Sequence, residues 1–237
     1  MKKILALTVV AAMFATSMFA FGFVGAGARG GVNFGAGTKL ASDSKDKAQD
    51  ISEKNKGGNI GFGFGAYALF DLFELDFGTI YLQPEVLLNF NNGYKIKYSD
   101  SSQKAYTHTI DLPVLATIEV PIADMFEVGG GLGLLVSFPI KADMKLDTPS
   151  GTYKAADIDS SIDKITAKPT LGMVIDTNGK WLFGSKKKQN FAVVADIRYT
   201  FDFTSTKFNY KRGNTTTELK TFTRRFLSIT AGAEYRF

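Results

Sequence analysis

The sequence predicts an all-β protein, an eight-stranded antiparallel up-and-down β-barrel that crosses a membrane with its strands. Three observations predict this class. Apolar and polar residues alternate along most of the chain after residue 22. The connections between these stretches are short and long in turn, as in barrels with short periplasmic turns and four long extracellular loops. Although 45% of the 237 residues are hydrophobic, no stretch beyond the N-terminus is long and apolar enough for a spanning helix.

Residues 223–237 show the alternation most clearly. Every second residue from Phe237 back to Leu227 is apolar, and the residues between them are polar or small. Side chains of a strand point to two faces in turn, so one face of this strand meets an apolar medium and the other a polar one. We expect this strand to close the barrel.

Residues 1–20 have the pattern of a secretory signal peptide, with Lys2 and Lys3 ahead of an apolar run and a small-residue region. We expect cleavage after Ala20, with cleavage after Ser17 as the alternative. The apolar run is shorter than the roughly 20 residues of a spanning helix, so an anchoring helix is less favoured. Residues 21–237 then form the barrel domain.

The same period of two predicts seven further strands. They span residues 24–38, 59–70, 77–90, 107–120, 126–138, 166–175 and 191–204. Long connections are expected at 39–57, 91–106, 140–165 and 205–220, and shorter ones at 71–76, 121–125 and 176–190. Asp176-Thr-Asn-Gly179 is a turn signal, and Pro84 predicts a bulge because proline removes a ladder donor. Both termini lie at the end with the short connections.

A soluble eight-stranded barrel is the alternative, because lipocalins also alternate. Here the apolar face carries aromatic residues at its ends, as an interfacial girdle does. The opposite face carries charges and glycine, which suit an apolar ligand pocket poorly. These features favour the membrane barrel.

Two segments carry a resemblance to a known family. They are the C-terminal Ala233-Glu-Tyr-Arg-Phe237 and Ile110-Asp-Leu-Pro-Val-Leu115, which is similar to a DxPxL strand. Residues 21–237 resemble small bacterial outer-membrane barrels of the OmpX, OmpA and OmpW types and the PorT-like outer membrane protein beta-barrel group. The resemblance implies an outer-membrane location. It also implies that the barrel-assembly machinery reads an assembly signal formed by Phe237, Tyr235, Ala233 and Ile229.

Inward positions collect ionisable residues of both signs. The predicted lumen charge network comprises Arg29, Glu85, Asp111, Glu119, Glu127, Asp196, Arg198, Glu234 and Arg236, and Lys168, Asp202 and Arg224 share the inward parity. Unpaired buried charges are costly, and an eight-stranded barrel is just wide enough for side chains to fill. We therefore favour a filled lumen over a charged solute path. Inward glycines either leave a cavity or make room for Arg29 and Tyr67.

The sequence predicts no catalytic, cofactor-binding or metal-binding residue. It has no cysteine, and His108 is its one histidine. His108 has outward parity near the outer end of its strand, where an interfacial polar role is favoured over a catalytic one, because a triad requires partner geometry. Asp157, Asp159 and Asp163 lack the spacing of an EF-hand loop. Phosphate-loop and zinc spacings are absent from the sequence.

We expect a non-enzymatic monomer whose surface loops have structural, adhesive or ligand-binding roles. Its expected partners are outer-membrane lipid, the assembly machinery and, at the loops, an extracellular ligand. A formal net charge of +5 is too mild to indicate nucleic acid. An OmpW-like conduit for small or hydrophobic solutes is the alternative, and a lipid A-modifying barrel enzyme is the lesser one.

Overall fold

A computed structural model shows an all-β chain. It describes residues 22–35, 39–40, 56–97, 100, 102–154, 164–185, 188–212 and 215–237. The predicted signal peptide and the three aspartates Asp157, Asp159 and Asp163 lie outside these residues. Within the described part of the chain, no helix is long and apolar enough to cross a membrane.

Eight long strands close into an antiparallel barrel, which confirms the predicted fold class. In order around the barrel they are β1 (Gly22–Phe34), β4 (Ile60–Leu75), β5 (Gly78–Lys97), β6 (Ser102–Ala123), β7 (Phe126–Thr148), β10 (Thr170–Ser185), β11 (Lys188–Asp202) and β14 (Arg225–Arg236). The last strand pairs with the first, with Ala28 opposite Ala233. Both ends of the barrel segment therefore lie together, and the backbone N–H of Phe237 donates to the carbonyl of Val24 at 2.9 Å.

In the described part of the chain, six shorter strands lie at the barrel end opposite the termini. They are β2 (Lys39–Leu40), β3 (Lys56–Gly58), β8 (Gly151–Lys154), β9 (Lys164–Ala167), β12 (Thr206–Arg212) and β13 (Thr215–Thr223). Four of them form a second sheet in the order β2-β13-β12-β9, while β3 pairs with β5 and β8 pairs with β7. The predicted long loops therefore contain much regular structure. The connection predicted at 91–106 is largely a hairpin extension of β5 and β6, and β7 continues to Thr148.

The turn predicted at Asp176-Thr-Asn-Gly179 is wrong, because β10 runs through it. Asp176 pairs with Arg198 and Gly179 with Ala195 in one unbroken register. Asp176 and Lys180 keep the inward parity and are both 2% exposed. Their ionic partners in the lumen offset the weak strand preference of Asn-Gly.

The bulge predicted at Pro84 is also wrong. Pro84 stands opposite Val114 and Leu87 opposite Asp111, which is the same register on both sides of the proline. The missing N–H of Pro84 is accommodated as a gap in the ladder, without an inserted residue. Lys168 departs from its expected inward parity too. It is exposed, because it precedes Thr170, where β10 begins.

The barrel wall has an apolar outer face and a polar inner face. Large apolar side chains remain exposed along the outside, among them Leu134 at 67%, Ile60 at 65% and Ile197 at 54%. Polar and charged side chains, among them Glu85, Asp196 and Arg198, are buried inside. An exposed apolar band around a polar interior is what a transmembrane barrel requires.

The second sheet packs on the extended hairpins through a small apolar core. Tyr94, Ala142, Phe208 and Phe222 are buried against one another, and the rings of Phe208 and Phe222 meet edge to face at 6.0 Å. We call this region the cap. It comprises the sheet β2-β13-β12-β9 and the parts of β5, β6 and β7 beyond Asn91, before His108 and beyond Ile140.

Candidate functional site

The lower layer of lumen charges lies nearest the termini. Lys180 reaches from β10 to Glu119, which it contacts, and to Glu234 at 2.6 Å. Arg236 on β14 binds Glu119 at 2.6 Å, Glu127 at 2.8 Å and Glu234 at 2.7 Å. The five side chains therefore form one connected network across the lumen.

The middle layer is deeply buried. Arg198 on β11 binds Glu85 on β5 at 2.6 Å and Asp176 at 3.3 Å. Arg29 on β1 contacts Glu85 and binds Asp196 at 2.9 Å. The side chains of Arg29, Glu85, Asp196 and Arg198 are each no more than 3% exposed. Both guanidinium groups therefore share the single carboxylate of Glu85.

The upper layer lies below the cap. Arg224, which immediately precedes β14, binds Asp202 at 2.8 Å and lies 3.6 Å from Asp111 on β6. It also donates to the hydroxyl of Thr109 at 3.1 Å, and Thr170 donates to Asp202 at 2.9 Å. Arg224 is fully buried, and its long, charged side chain bridges the lumen.

Each layer contains an ion pair between opposite walls of the barrel. In the ring of eight strands, β11 and β5 are diametrically opposed, and so are β14 and β6. Arg198 and Glu85 bridge the first pair of walls. Arg236 and Glu119 bridge the second at the lower level. Arg224 and Asp111 span it again at the upper level.

Every layer also holds one more carboxylate than cation. Hydroxyl donors supplement the cations at several carboxylates: Tyr67 donates to Glu234 at 2.9 Å, Thr230 to Asp196 at 2.7 Å, and Ser137 to Asp111. Charged acceptors form stronger hydrogen bonds than neutral ones, so these donors offset part of the desolvation of the carboxylates.

Two inward glycines lie against larger neighbouring side chains. A Cβ on Gly27 would overlap the ring of Tyr67, whose face carries the guanidinium of Arg29 at 4.5 Å. A Cβ on Gly63 would overlap the amide of Asn89. At these two positions the space left by glycine is occupied by a neighbouring polar or aromatic side chain.

A small cavity remains between the middle and upper layers. Its volume is about 30 Å³, and its lining includes Arg29, Arg198, Asn89 and Asp111. A water molecule needs roughly 10–15 Å³ by the same kind of measure, so the cavity has room for a few waters at most.

Eight of the nine residues of the predicted lumen network lie in the lower and middle layers. The ninth, Asp111, lies in the upper layer. Sequence reasoning missed Asp176 and Lys180, because it assigned their segment to a turn and an irregular connection. The available signal was the inward series Asp176, Asn178 and Lys180, which continues the period of two past the Asn-Gly pair.

The outward residues of the C-terminal strand lie on the barrel surface. Phe237 is 72% exposed, Tyr235 50% and Ile229 53%, and Ala233 is exposed as well. The ring of Phe237 lies 5.0 Å from that of Phe23 and 5.4 Å from that of Tyr235. They form part of an aromatic cluster at the lower edge of the apolar band.

His108 lies on the outer surface at the upper edge of the apolar band. Its Nδ1 accepts the backbone N–H of Asn91 at 3.0 Å, and its ring lies 5.4 Å from Phe90 and 5.5 Å from Tyr106. A backbone amide thus occupies the ring nitrogen that a carboxylate would orient in a catalytic triad. Among the residues that the structure describes, no cluster of potential metal ligands is present.

The fold and its charged, filled interior define the class of small outer-membrane β-barrels. No protein-family model and no curated protein sequence matches the chain. The structure is similar to that of the outer membrane protein OprG from Pseudomonas aeruginosa, with a TM-score of 0.51 and 11% identity, covering 91% of this chain and 96% of that one.

Two further solved structures cover the chain to a similar extent. The outer membrane protease OmpT from Escherichia coli has a TM-score of 0.44 and 9% identity, over 91% of this chain and 97% of that one. Neisserial surface protein A has a TM-score of 0.41 and 12% identity, over 90% and 97%. At 11% identity the likeness to OprG shows the fold alone, and the fold alone does not determine an activity.

Proposed function

We propose that the chain is a monomeric, non-enzymatic integral outer-membrane protein with a closed lumen. Its cap and connecting segments serve structural, adhesive or ligand-binding roles at the cell surface. The observation that carries this proposal is the set of three stacked layers, each with an ion pair between opposite walls of the barrel.

The buried ion pairs support a closed lumen for an energetic reason. Removing one partner of a buried pair costs about 3–5 kcal/mol, because the other charge is left uncompensated. A solute path would require Arg224, Arg198 and Arg236 to leave their partners in all three layers. The small cavity between two of the layers also weakens the case for a solute conduit.

The outward apolar band supports membrane insertion, and the fold supports the outer membrane as its location. With the termini in the periplasm, the cap faces the cell exterior, as long connections do in bacterial barrels. Residues 1–20 act as the cleaved export signal in this proposal.

The environment of His108 supports a non-enzymatic role. Its neighbours are two aromatic rings, and its Nδ1 is engaged by a backbone amide. In this proposal the chain does not modify lipid A. Cells that produce the His108→Ala variant should therefore have the same lipid A as cells that produce the wild type. A change in lipid A chemistry that depends on His108 would instead favour a lipid-modifying enzyme.

Recognition by the assembly machinery rests on the terminal aromatic residues. Deleting Phe237 is expected to lower the amount of folded protein in the outer membrane while export to the periplasm continues. The measurement is the heat-modifiable fraction in isolated outer membranes. Normal assembly of the deletion variant would contradict this part of the proposal.

Solute flux through proteoliposomes tests the closed lumen. Vesicles containing the folded chain should swell in isotonic arabinose no faster than protein-free vesicles. Swelling that increases with the amount of folded protein would contradict the proposal. A general porin incorporated at the same protein-to-lipid ratio provides the positive control.

A further inference from the structure

His108 occupies an irregular point in the sheet. On one side, two residues of β5, Phe90 and Asn91, stand opposite His108 alone. On the other side, Ile140 of β7 is inserted between the partner of His108 and the partner of the next residue. Bulges of this kind re-aim side chains and are common beside functional sites. Here two bulges flank the same residue.

Asn91 has a positive φ of 60°, and no other non-glycine residue in the described ranges does. Asparagine tolerates this left-handed region better than most residues, but the conformation still requires support. Support comes from its side chain, which donates to the carbonyl of Ile60 at 2.8 Å. In this conformation the N–H of Asn91 points at Nδ1 of His108.

That hydrogen bond determines which nitrogen of His108 faces outward as a donor. Because Nδ1 accepts a hydrogen bond, the neutral imidazole carries its proton on Nε2. Nε2 has no hydrogen-bond partner among the described residues. The rings of Phe90 and Tyr106 pack against the imidazole at 5.4 and 5.5 Å. The result is an oriented N–H donor at the surface.

Lys141 lies directly across from His108 in the pairing of β6 with β7 and is exposed. Opposed residues in such a pair have Cβ atoms about 4.5–5.5 Å apart. Within the described part of the chain, the ammonium group of Lys141 forms no ion pair. A charged donor therefore lies next to the oriented Nε2–H of His108.

The nearby carboxylates have other partners. Asp147 binds Lys104 at 2.7 Å, and Asp143 accepts from the hydroxyl of Tyr106 at 3.2 Å. Lys145 lies 5.3 Å from the centre of the Tyr106 ring. The face thus presents more cationic than anionic groups. Nε2 of His108 and Nζ of Lys141 are left for an external anion.

The donors lie immediately above the lipid-facing band. The rings of Phe62 and Phe64 stack on Phe90 at 4.9 and 5.8 Å, on the strand beside His108, and the inserted Ile140 is 52% exposed. An anion bound here would have apolar surface beneath it. That combination fits a headgroup attached to acyl chains better than a free ion.

We propose that Nε2 of His108 and Nζ of Lys141 bind the phosphate group of an outer-leaflet lipid, whose acyl chains lie along Phe62, Phe64 and Phe90. The inference rests on the proposed outer-membrane location. It does not depend on whether the lumen is closed.

The single histidine allows a direct test. The untagged full chain, labelled with ¹⁵N and folded in phosphatidylcholine nanodiscs, gives one imidazole spin system. Adding diphosphoryl lipid A to the nanodiscs should shift the Nε2 resonance, while Nδ1 keeps the position of a hydrogen-bond acceptor. Inorganic phosphate at the same phosphate concentration should produce no comparable shift.

Variants then test the affinity. Replacing both donors, His108→Ala with Lys141→Ala, should weaken lipid A binding about 10-fold or more by native mass spectrometry, because both charge-assisted hydrogen bonds to the phosphate are lost. Lys211→Ala, an exposed lysine on β12 of the cap, is the matched control and should bind as the wild type does. If the double variant does not fold, the His108→Gln and Lys141→Gln single variants replace it.

Three outcomes would overturn the proposal. They are an Nε2 resonance unaffected by lipid A, equal lipid A binding by folded wild-type and variant chains, or an equal shift with inorganic phosphate, which would indicate a free-phosphate site. The proteoliposome assay is independent of these results. A chain that admits arabinose but binds lipid A through His108 would contradict only the closed lumen.

Discussion

The barrel wall and the cap share the strands β5, β6 and β7 but have opposite polarity. In the barrel, β5, β6 and β7 bury charged residues such as Glu85 and Asp111 and expose residues such as Leu134. In the cap, the continuations of these strands bury Tyr94 and Ala142 and turn lysines outward. This exchange of the buried and exposed faces occurs at the bulges beside His108. The extra residue on β5 and the extra residue on β7 each reverse which alternate residues of the strand face inward.

This difference shows how one chain adapts to two solvents. In lipid, the wall must present apolar groups outward, and its interior is then left for polar groups that satisfy one another. In water, apolar groups are buried instead, as they are in soluble proteins. A bulge shifts a strand by one residue and therefore exchanges its two faces without ending the strand.

The largest effect is expected from breaking the middle layer. Arg198→Ala leaves Glu85 and Asp176 without one of their cations, and should lower the free energy of unfolding by about 3–5 kcal/mol. Urea unfolding in detergent micelles, followed by fluorescence of the single tryptophan Trp181, measures this loss. Lys211→Ala in the cap is the control. A loss below about 1 kcal/mol, typical of exposed pairs, would mean that the lumen is wet.

The next effect concerns the cap core. Phe208 is fully buried, and Phe208→Ala should cost about 3 kcal/mol through lost packing and a cavity. The loss should stay local, because the barrel ladder does not run through β12. Hydrogen exchange should therefore speed up in β12 and remain slow in β11. Equal acceleration in both strands would mean that cap and barrel unfold together.

A smaller effect separates two glycines of β1. Gly27→Ala places a Cβ against the ring of Tyr67 and should cost about 1–3 kcal/mol through overpacking. Gly30→Ala is the matched control, because its Cβ would lie 3.4 Å from the nearest atom, on Phe64. Equal unfolding midpoints for the two variants would contradict a filled lumen at Gly27.

The smallest effect is a pH dependence in the cap. The hydrogen bond from Lys104 lowers the pKa of Asp147 below its usual 3.8, and Thr152 contributes through a second hydrogen bond. A lowered pKa means that the stabilisation is complete above the usual pKa and is lost as pH falls through the lowered one. Wild-type and Asp147→Asn chains should therefore differ slightly at neutral pH and converge below about pH 3.8. A carboxyl titration of Asp147 by NMR at or above 3.8 would contradict the bond to Lys104.

Much of the barrel could be predicted from the sequence, because apolar and polar residues alternate wherever one face of a strand meets lipid and the other meets the lumen. The outward series ending at Tyr235 and Phe237 predicted the closing strand, and the inward series containing Asp196 and Arg198 placed the lumen charges. The turn at Asp176 was misread because a local Asn-Gly signal was given more weight than the alternation on both sides of it. The predicted lumen network therefore lacked Lys180, which connects Glu119 and Glu234 in the lower layer.

The cap could not be predicted in the same way. Its core joins Tyr94 and Ala142 to Phe208 and Phe222, which are far apart in the chain. Four of the six short strands described there, β2, β3, β8 and β9, have only two to four residues, too few for a clear period of two. The bulges beside His108 were equally hidden, because an inserted residue becomes visible only when the partner strand is known.

The exchange of polarity on β7 is tested most directly with two single-cysteine variants of this cysteine-free chain. Leu134→Cys and Lys145→Cys, each carrying a nitroxide label in nanodiscs, place probes on the outward face below and above the bulge at Ile140. The label at 134 should be relaxed mainly by dissolved oxygen, as in lipid, and the label at 145 mainly by a water-soluble nickel complex. The same relaxation pattern at both positions would contradict a membrane boundary beside His108.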